Sequence, residues 1–146
     1  MKNSLVYWLI SGFFLLWGIA YAGLVTFTVG IATEEHWDKL VQQGRIKAEY
    51  AQYIMDIPSW VLVITVIAAA TRLLGGIGLV MQRSWALPLY AASLCVVAVV
   101  MYRGFFIADV ASVIRPSQVW LEIGFMCLSV AAVWFSYVQV ANGILR

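Results

Sequence analysis

Charge is scarce in this chain. Lys, Arg, Asp and Glu together make up 11% of its 146 residues, against roughly a quarter in a soluble domain. A chain this poor in charge cannot cover its own surface in water, so the bilayer is part of its solvent. Histidine occurs once and cysteine twice. The single histidine, His36, excludes bis-histidine haem ligation within one chain. Cys95 and Cys127 fall near the middle of apolar stretches, and two such thiols cannot build a disulfide framework. They are expected to be buried free thiols acting as small hydrophobes. There is no C-x-x-C, so thiol–disulfide chemistry has no reagent. No nucleophile with its base, no metal-ligand set and no phosphate loop stands in the sequence. No catalytic residue, metal or cofactor is therefore expected, and no nucleic-acid partner.

What the chain does have is apolar length: 64% of it is hydrophobic. A helical span needs about 20 predominantly apolar residues, and four such windows fit, at 5–32, 58–81, 86–107 and 119–145. Barrel strands would alternate apolar and polar residues. Here Val61-Leu62-Val63-Ile64 and Val96-Val97-Ala98-Val99-Val100 are apolar on every side, as in lipid-embedded helices. The expected fold is all-α: an integral membrane four-helix bundle, a single transmembrane domain over residues 1–146. Ala20-Tyr21-Ala22 resembles a signal-peptide cleavage pattern. The apolar run continues past it to Ile31, so the first span is expected to be a retained anchor.

Basic residues at Lys2, at Arg83 in the turn Gln82-Arg83-Ser84, and at Arg146 would share one side of the membrane without any acid. The other side holds Lys39, Arg45, Lys47 and Arg115, so by the Lys and Arg count of the positive-inside rule the two sides are close; the tight turn at Arg83 and the terminal Lys2 favour both termini inside. Aromatics fall at both sets of span ends: Tyr7, Trp8, Trp85, Tyr90, Trp134 and Tyr137 at one, Trp37, Tyr50, Tyr53, Trp60, Tyr102 and Trp120 at the other. They mark the interfaces without fixing direction.

Residues 33–57, between spans 1 and 2, form the only extended polar segment. Thr33 can cap a helix whose first turn carries Glu34 and Glu35. Trp37, Leu40 and Val41 follow helical spacing, and Gly44 is a natural stop. Ile46, Tyr50, Tyr53 and Ile54 continue a second apolar stripe. One or two amphipathic helices at the membrane surface are expected, either capping the bundle or docking a partner through Trp37 and Tyr50. His36, beside Glu34, Glu35 and Asp38, is expected to sit at a solvated helix start.

Three interior features need explanation. Arg103, Asp109 and Glu122 lie at similar depth near one membrane edge and are expected to form a structural ion pair fixing helix register. Gly75, Gly76 and Gly78 follow Ala68, Ala69, Ala70 and Thr71, and such small residues permit close helix approach. They mark a helix–helix contact, internal or toward a neighbouring chain. Arg72 is the hardest: it sits about 13 Å deep at ~1.5 Å per residue, where an arginine costs ~2.5–3.5 kcal/mol on insertion scales. It could snorkel to the headgroups. It could be satisfied inside the bundle by Ser93, Ser129 or Ser136, or by the faces of Trp17 or Trp134. It could also meet another chain, a lipid or an anionic ligand.

From Pro58 onward the chain resembles a group of small four-span bacterial inner-membrane proteins commonly labelled "sugar transporter". The matching residues are Pro58-Ser59-Trp60, Arg83-Ser84-Trp85-Ala86-Leu87-Pro88, Ser93-Leu94, Phe105-Phe106, Trp134 and Leu145-Arg146. Thr71-Arg72 and residues 33–57 depart from that pattern. The resemblance implies a multi-pass protein of the bacterial inner membrane. Two functions compete. One is a non-catalytic accessory or interaction subunit of a larger membrane complex, meeting lipids and other subunits or itself. The other is a small oligomeric transporter or facilitator for a small solute such as a sugar. An enzyme is the least expected.

Overall fold

Ser4 opens the first helix, its hydroxyl accepting from the Tyr7 backbone N–H at 3.2 Å, an N-cap that satisfies one of the orphan donors of the first turn. The structure is a computed structural model that describes residues 4–146, the side chain of Val113 excepted. Among the described residues there are seven helices and no strand. Helix α1 runs Leu5–Ile31, α4 Ser59–Val80, α5 Ala86–Ile107 and α7 Pro116–Ala141, and each is long and apolar enough to cross a membrane. The chain is a multi-pass membrane protein. Its other helices are α2 (Glu34–Gln42), α3 (Ala48–Met55) and the short α6 (Val110–Val113). The last turns of α1 and α5, Phe27–Ile31 and Arg103–Ile107, widen to π geometry.

Each span buries residues three and four apart. On α1 they are Tyr7, Ser11, Phe14, Gly18 and Val25; on α4, Val61, Ala68, Arg72, Gly75 and Leu79. On α5 they are Ala86, Tyr90, Ser93 and Val97, and on α7 Ser129, Ala132 and Ser136. A 3.5-residue repeat of this kind keeps one seam facing the neighbours along the whole helix. Cys95 and Cys127 fall off these seams and are exposed on the bundle's outer faces. The expectation that they are buried is wrong: being apolar in sequence does not distinguish lipid-facing from core-facing positions in a membrane span.

Glycine sets the closest approaches. A β-carbon on Gly76 would lie 2.9 Å from Leu15 Cα, and one on Gly18 3.2 Å from Leu73 Cα, so α1 and α4 meet backbone to backbone. A β-carbon on Gly75 would stand 2.9 Å from the Tyr90 ring, and one on Gly78 2.8 Å from the Trp85 ring. Both close faces of α4 are thus consumed inside the chain. The ring of spans closes between α7 and α1 through large side chains. Phe135 stacks on Tyr7 with centroids 5.9 Å apart, and Phe125 meets Tyr21 edge-on at 6.3 Å.

At the end where α4 turns into α5, the chain's last residues are stitched to the turn. Arg146 N–H donates to the Gln82 carbonyl and Ser84 N–H to the Arg146 carbonyl, both at 3.0 Å. Tyr7 Oη donates to the Leu79 carbonyl at 2.5 Å. Ile144 and Leu145 are buried there. The fourth span therefore ends at Ala141 rather than at 145, because Gly143 (φ +68) reverses the chain. It starts at Pro116 rather than 119: proline suits the first helical position, and Gln118 Oε1 accepts from the Arg115 backbone N–H at 3.0 Å. Lys2, placed at this end by charge, lies outside the described residues.

At the other end residues 33–57 form two helices, α2 and α3, parted by a turn at Gly44 (φ +67). Thr33 occupies the N-cap position of α2, but its hydroxyl makes no capping bond. His36 packs edge-on against Phe27 at 5.0 Å. Lys39 and Glu35 form the one ion pair among the described residues, at 2.7 Å on the exposed face. The turn is held by Arg115, whose guanidinium donates to the Gly44 carbonyl. Arg115→Ala is expected to leave the four spans unchanged while loosening this turn. Hydrogen exchange should quicken several-fold over residues 41–47 and nowhere in the bundle; unchanged protection there would show that the contact does not hold the turn.

Candidate functional site

Three side chains from two helices, Trp17 and Tyr21 of α1 and Ser129 of α7, meet Arg72 of α4. The guanidinium is 1% exposed, so it neither snorkels nor faces lipid or a neighbouring chain. Its Cζ lies 4.2 Å from the Trp17 ring centroid and 4.1 Å from that of Tyr21. Those residues are one turn apart on α1 and present two π faces to one cation. Nη2 donates to Ser129 Oγ at 2.9 Å. The serine can accept because its own proton goes to the Phe125 carbonyl at 2.8 Å. Nε and Nη1 have no hydrogen-bond partner. The other serines of the expected set are engaged elsewhere: Ser93 Oγ donates to the Ala68 carbonyl at 3.3 Å, and Ser136 Oγ to the Ala132 carbonyl at 2.8 Å. Trp134, also a candidate face, is 68% exposed on the outside of the bundle.

Beside the guanidinium lies a cavity of about 50 Å³, walled by Tyr21, Thr65, Ala68, Val96, Val97, Val100, Met101, Glu122 and Phe125 together with Arg72. A second cavity of about 290 Å³ shares Val100, Met101, Glu122 and Phe125 as its inner wall. Its outer rim is Tyr50, Tyr53, Val110, Ile114 and Gln118, at the end of the bundle that carries α3 and α6. The larger is the vestibule and the smaller the deep chamber, and the four shared residues form the wall between them. Thr65 Oγ1 is committed to the Val61 carbonyl at 2.7 Å. The deep chamber therefore offers one cation, one carboxyl group and otherwise mostly apolar wall. At the rim, burial and then the nearby charge of Glu122 push the Tyr50 phenol above its ordinary value. It stays protonated, a neutral donor.

The expected ion pair of Arg103, Asp109 and Glu122 is not formed. Asp109 is exposed with left-handed backbone (φ 47), its carbonyl accepting from Ser112 at the start of α6. Arg103 lies in the π turn of α5, where its carbonyl accepts from Ala108 N–H at 2.9 Å. Glu122 turns inward instead. It stands seven residues before Ser129 on α7, and that single heptad step keeps it on the seam that carries Ser129. Gly75, Gly76 and Gly78 pack within the chain and are not a surface for another subunit. Tyr50 lines the vestibule. Trp37 lines a separate open cleft of about 700 Å³ between α2–α3 and the ends of α1 and α4. Tyr21 was not singled out from sequence; its signal was its place one turn beyond Trp17. Among the described residues no group of His, Cys, Asp and Glu could hold a metal ion. Comparison with protein-family models, with curated proteins and with solved structures returns no match.

Proposed function

We propose that this protein is a small membrane transporter or facilitator whose solute occupies the Arg72 chamber inside the bundle. The supporting observation is the guanidinium itself: fully buried, without an acid in contact, with two nitrogens lacking acceptors, beside a cavity that shares a wall with a second one at the end of the bundle. A structural role does not need that arrangement, since methionine would fill the space without the cost of desolvating a charge. The two sequence features that favoured an accessory subunit, Arg72 and the glycine face of α4, are both turned inward. What remains for that alternative is the cleft between α2–α3 and the bundle. The resemblance read from the sequence is the ground for proposing a bacterial inner-membrane location, and it bears on location more than on transport. Both termini inside, with the vestibule facing out, is the orientation proposed from the tight turn at Arg83, although Lys39, Arg45, Lys47 and Arg115 are exposed at the other end.

Thiol accessibility tests this. In a Cys95→Ala, Cys127→Ala background, Thr65→Cys is expected to react with a small membrane-impermeant thiol reagent from the vestibule side, and more slowly from the other. Ala132→Cys, sealed in the core, should stay unreactive from both. Arg45→Cys and Ser84→Cys report the orientation, with Arg45→Cys reached from outside intact cells and Ser84→Cys not. Reaction of Thr65→Cys from one face only, under every condition, would leave a solute-binding protein that does not transport. Reaction from neither would remove the solute site.

A further inference from the structure

Given the Arg72 chamber as a solute site, on which this inference rests, its chemistry restricts what the solute can be. We propose that the chamber binds a monocarboxylate with an apolar body, the carboxylate serving as the counterion of Arg72 and entry being accompanied by one proton taken up by Glu122.

Size and lining set the class. A water needs ~10–15 Å³ of such cavity volume, so about 50 Å³ admits roughly four non-hydrogen atoms. A carboxylate and its α-carbon fit; a sugar ring does not. Apart from Tyr21, Thr65, Arg72 and Glu122 the wall is Ala68, Val96, Val97, Val100, Met101 and Phe125, too few polar groups to match a ring of sugar hydroxyls. Arg72 presents one N–H on Nε and two on Nη1, all lacking acceptors. A carboxylate's lone pairs match these donors, and charge assistance makes such bonds the strong kind. The rest of the molecule would lie in the vestibule against its apolar residues Leu24, Phe105, Val110, Ile114 and Leu121, with Tyr50, Tyr53 and Gln118 at the rim. A phosphate dianion is disfavoured, because the lining supplies one cation and no second.

Charge balance sets the proton. Arg72 and an ionised Glu122 already sum to zero within one chamber wall. Adding an anion leaves one uncompensated negative charge among apolar side chains, which is costly. Protonating Glu122 restores neutrality: a carboxylate and a proton enter, and the chamber holds an Arg⁺–carboxylate pair beside a neutral acid. The remaining titratable groups facing this region are phenols: Tyr21 on α1, Tyr90 on α5, and Tyr50 and Tyr53 on α3. None is a competing anion near neutral pH.

The test uses the full chain in lipid nanodiscs with three probes: butyrate, its neutral isostere butyramide, and inorganic phosphate. Butyrate is expected to raise the thermal midpoint with a saturable dose dependence, and the other two to leave it unchanged. Its apparent Kd should rise close to tenfold per pH unit between pH 6 and 8. Arg72→Gln should abolish the response, and Glu122→Gln should keep binding but flatten the pH dependence to less than twofold. The butyrate–butyramide contrast needs no variant, so it decides even if Arg72→Gln fails to fold. Oleate placed in the nanodisc separates the two sources of an alkyl carboxylate: a response to it with none to butyrate assigns a membrane-borne acid, the reverse a soluble one. Equal responses to butyrate and butyramide, both lost on filling the chamber by Thr65→Trp, would overturn the carboxylate and leave the solute site standing. A butyrate response indifferent to pH in the unmodified protein would overturn the proton. No response to any probe would remove the carboxylate, while thiol access to Thr65→Cys still judges the solute site separately.

Discussion

Gly76→Leu is expected to prevent α1 from docking on α4, with loss of the folded bundle in mild detergent. A single β-carbon at this position would already stand 2.9 Å from Leu15 Cα and 3.3 Å from its N. The obstruction is backbone, which cannot rotate aside, so α1 must move as a body. Overpacking by a methylene or two costs ~1–3 kcal/mol in ordinary cores, and leucine adds four carbons at a backbone contact. The displacement would also carry Trp17 and Tyr21 away from Arg72. Gly12, Gly23 and Gly124 supply the control, because a β-carbon there meets nothing within 4 Å. Gly23→Ala should be neutral or stabilise by up to ~1 kcal/mol through helix propensity. The measurement is the thermal unfolding midpoint in detergent, followed by near-ultraviolet circular dichroism of the buried aromatics. A Gly76→Leu protein with the native midpoint and spectrum would mean that α1 and α4 do not pack at this register.

Spans and loops were legible in the sequence because hydrophobic length is a one-dimensional property. Residues 58–81 differ from Ser59–Val80 only at the ends. The two extramembrane helices followed from helical spacing on either side of Gly44. Pro116 and Gly143 moved the fourth span toward the N-terminus, since helix ends obey capping and backbone geometry rather than hydropathy. Orientation about each helix axis was far less legible. In water a polar stripe marks the outside of a helix, and its apolar stripe marks the core. In a membrane both sides are apolar, so Cys95 and Cys127 could not be sorted from Val97 and Ala132 by type. The polar residues carried the missing information. Ser11, Ser93, Ser129, Ser136 and Arg72 are all buried, each on its helix's inner seam. Glu122 was read by depth alone, as a residue of the membrane edge. Its heptad spacing to Ser129 was the better guide, and it places the acid in the wall of the Arg72 chamber.

Arg72→Met is expected to make the isolated protein more stable, and this sign separates a functional arginine from a structural one. Contacts with Trp17 and Tyr21 contribute ~0.5–2 kcal/mol each, and the bond to Ser129 about 1.5–3 kcal/mol as a charged hydrogen bond. Against them stands the desolvation of a full charge, still several kcal/mol after relaxation. Three N–H groups lacking acceptors leave that cost largely unrecovered. The opposing cost is the larger, and methionine matches the length of the side chain while packing favourably against both rings. A gain of ~1–4 kcal/mol is therefore expected, the range found when buried ionic groups give way to apolar ones. Ser129 keeps its bond to the Phe125 carbonyl and is not orphaned by the change. The same variant should lose all response to butyrate. Thermal unfolding with and without butyrate reads both effects in one experiment. A variant less stable than the parent would assign Arg72 to the scaffold, holding α1, α4 and α7 together, and would take away the physical ground for a solute site. A rise in stability with loss of ligand response would show that the chain carries a buried charge for the sake of what it binds.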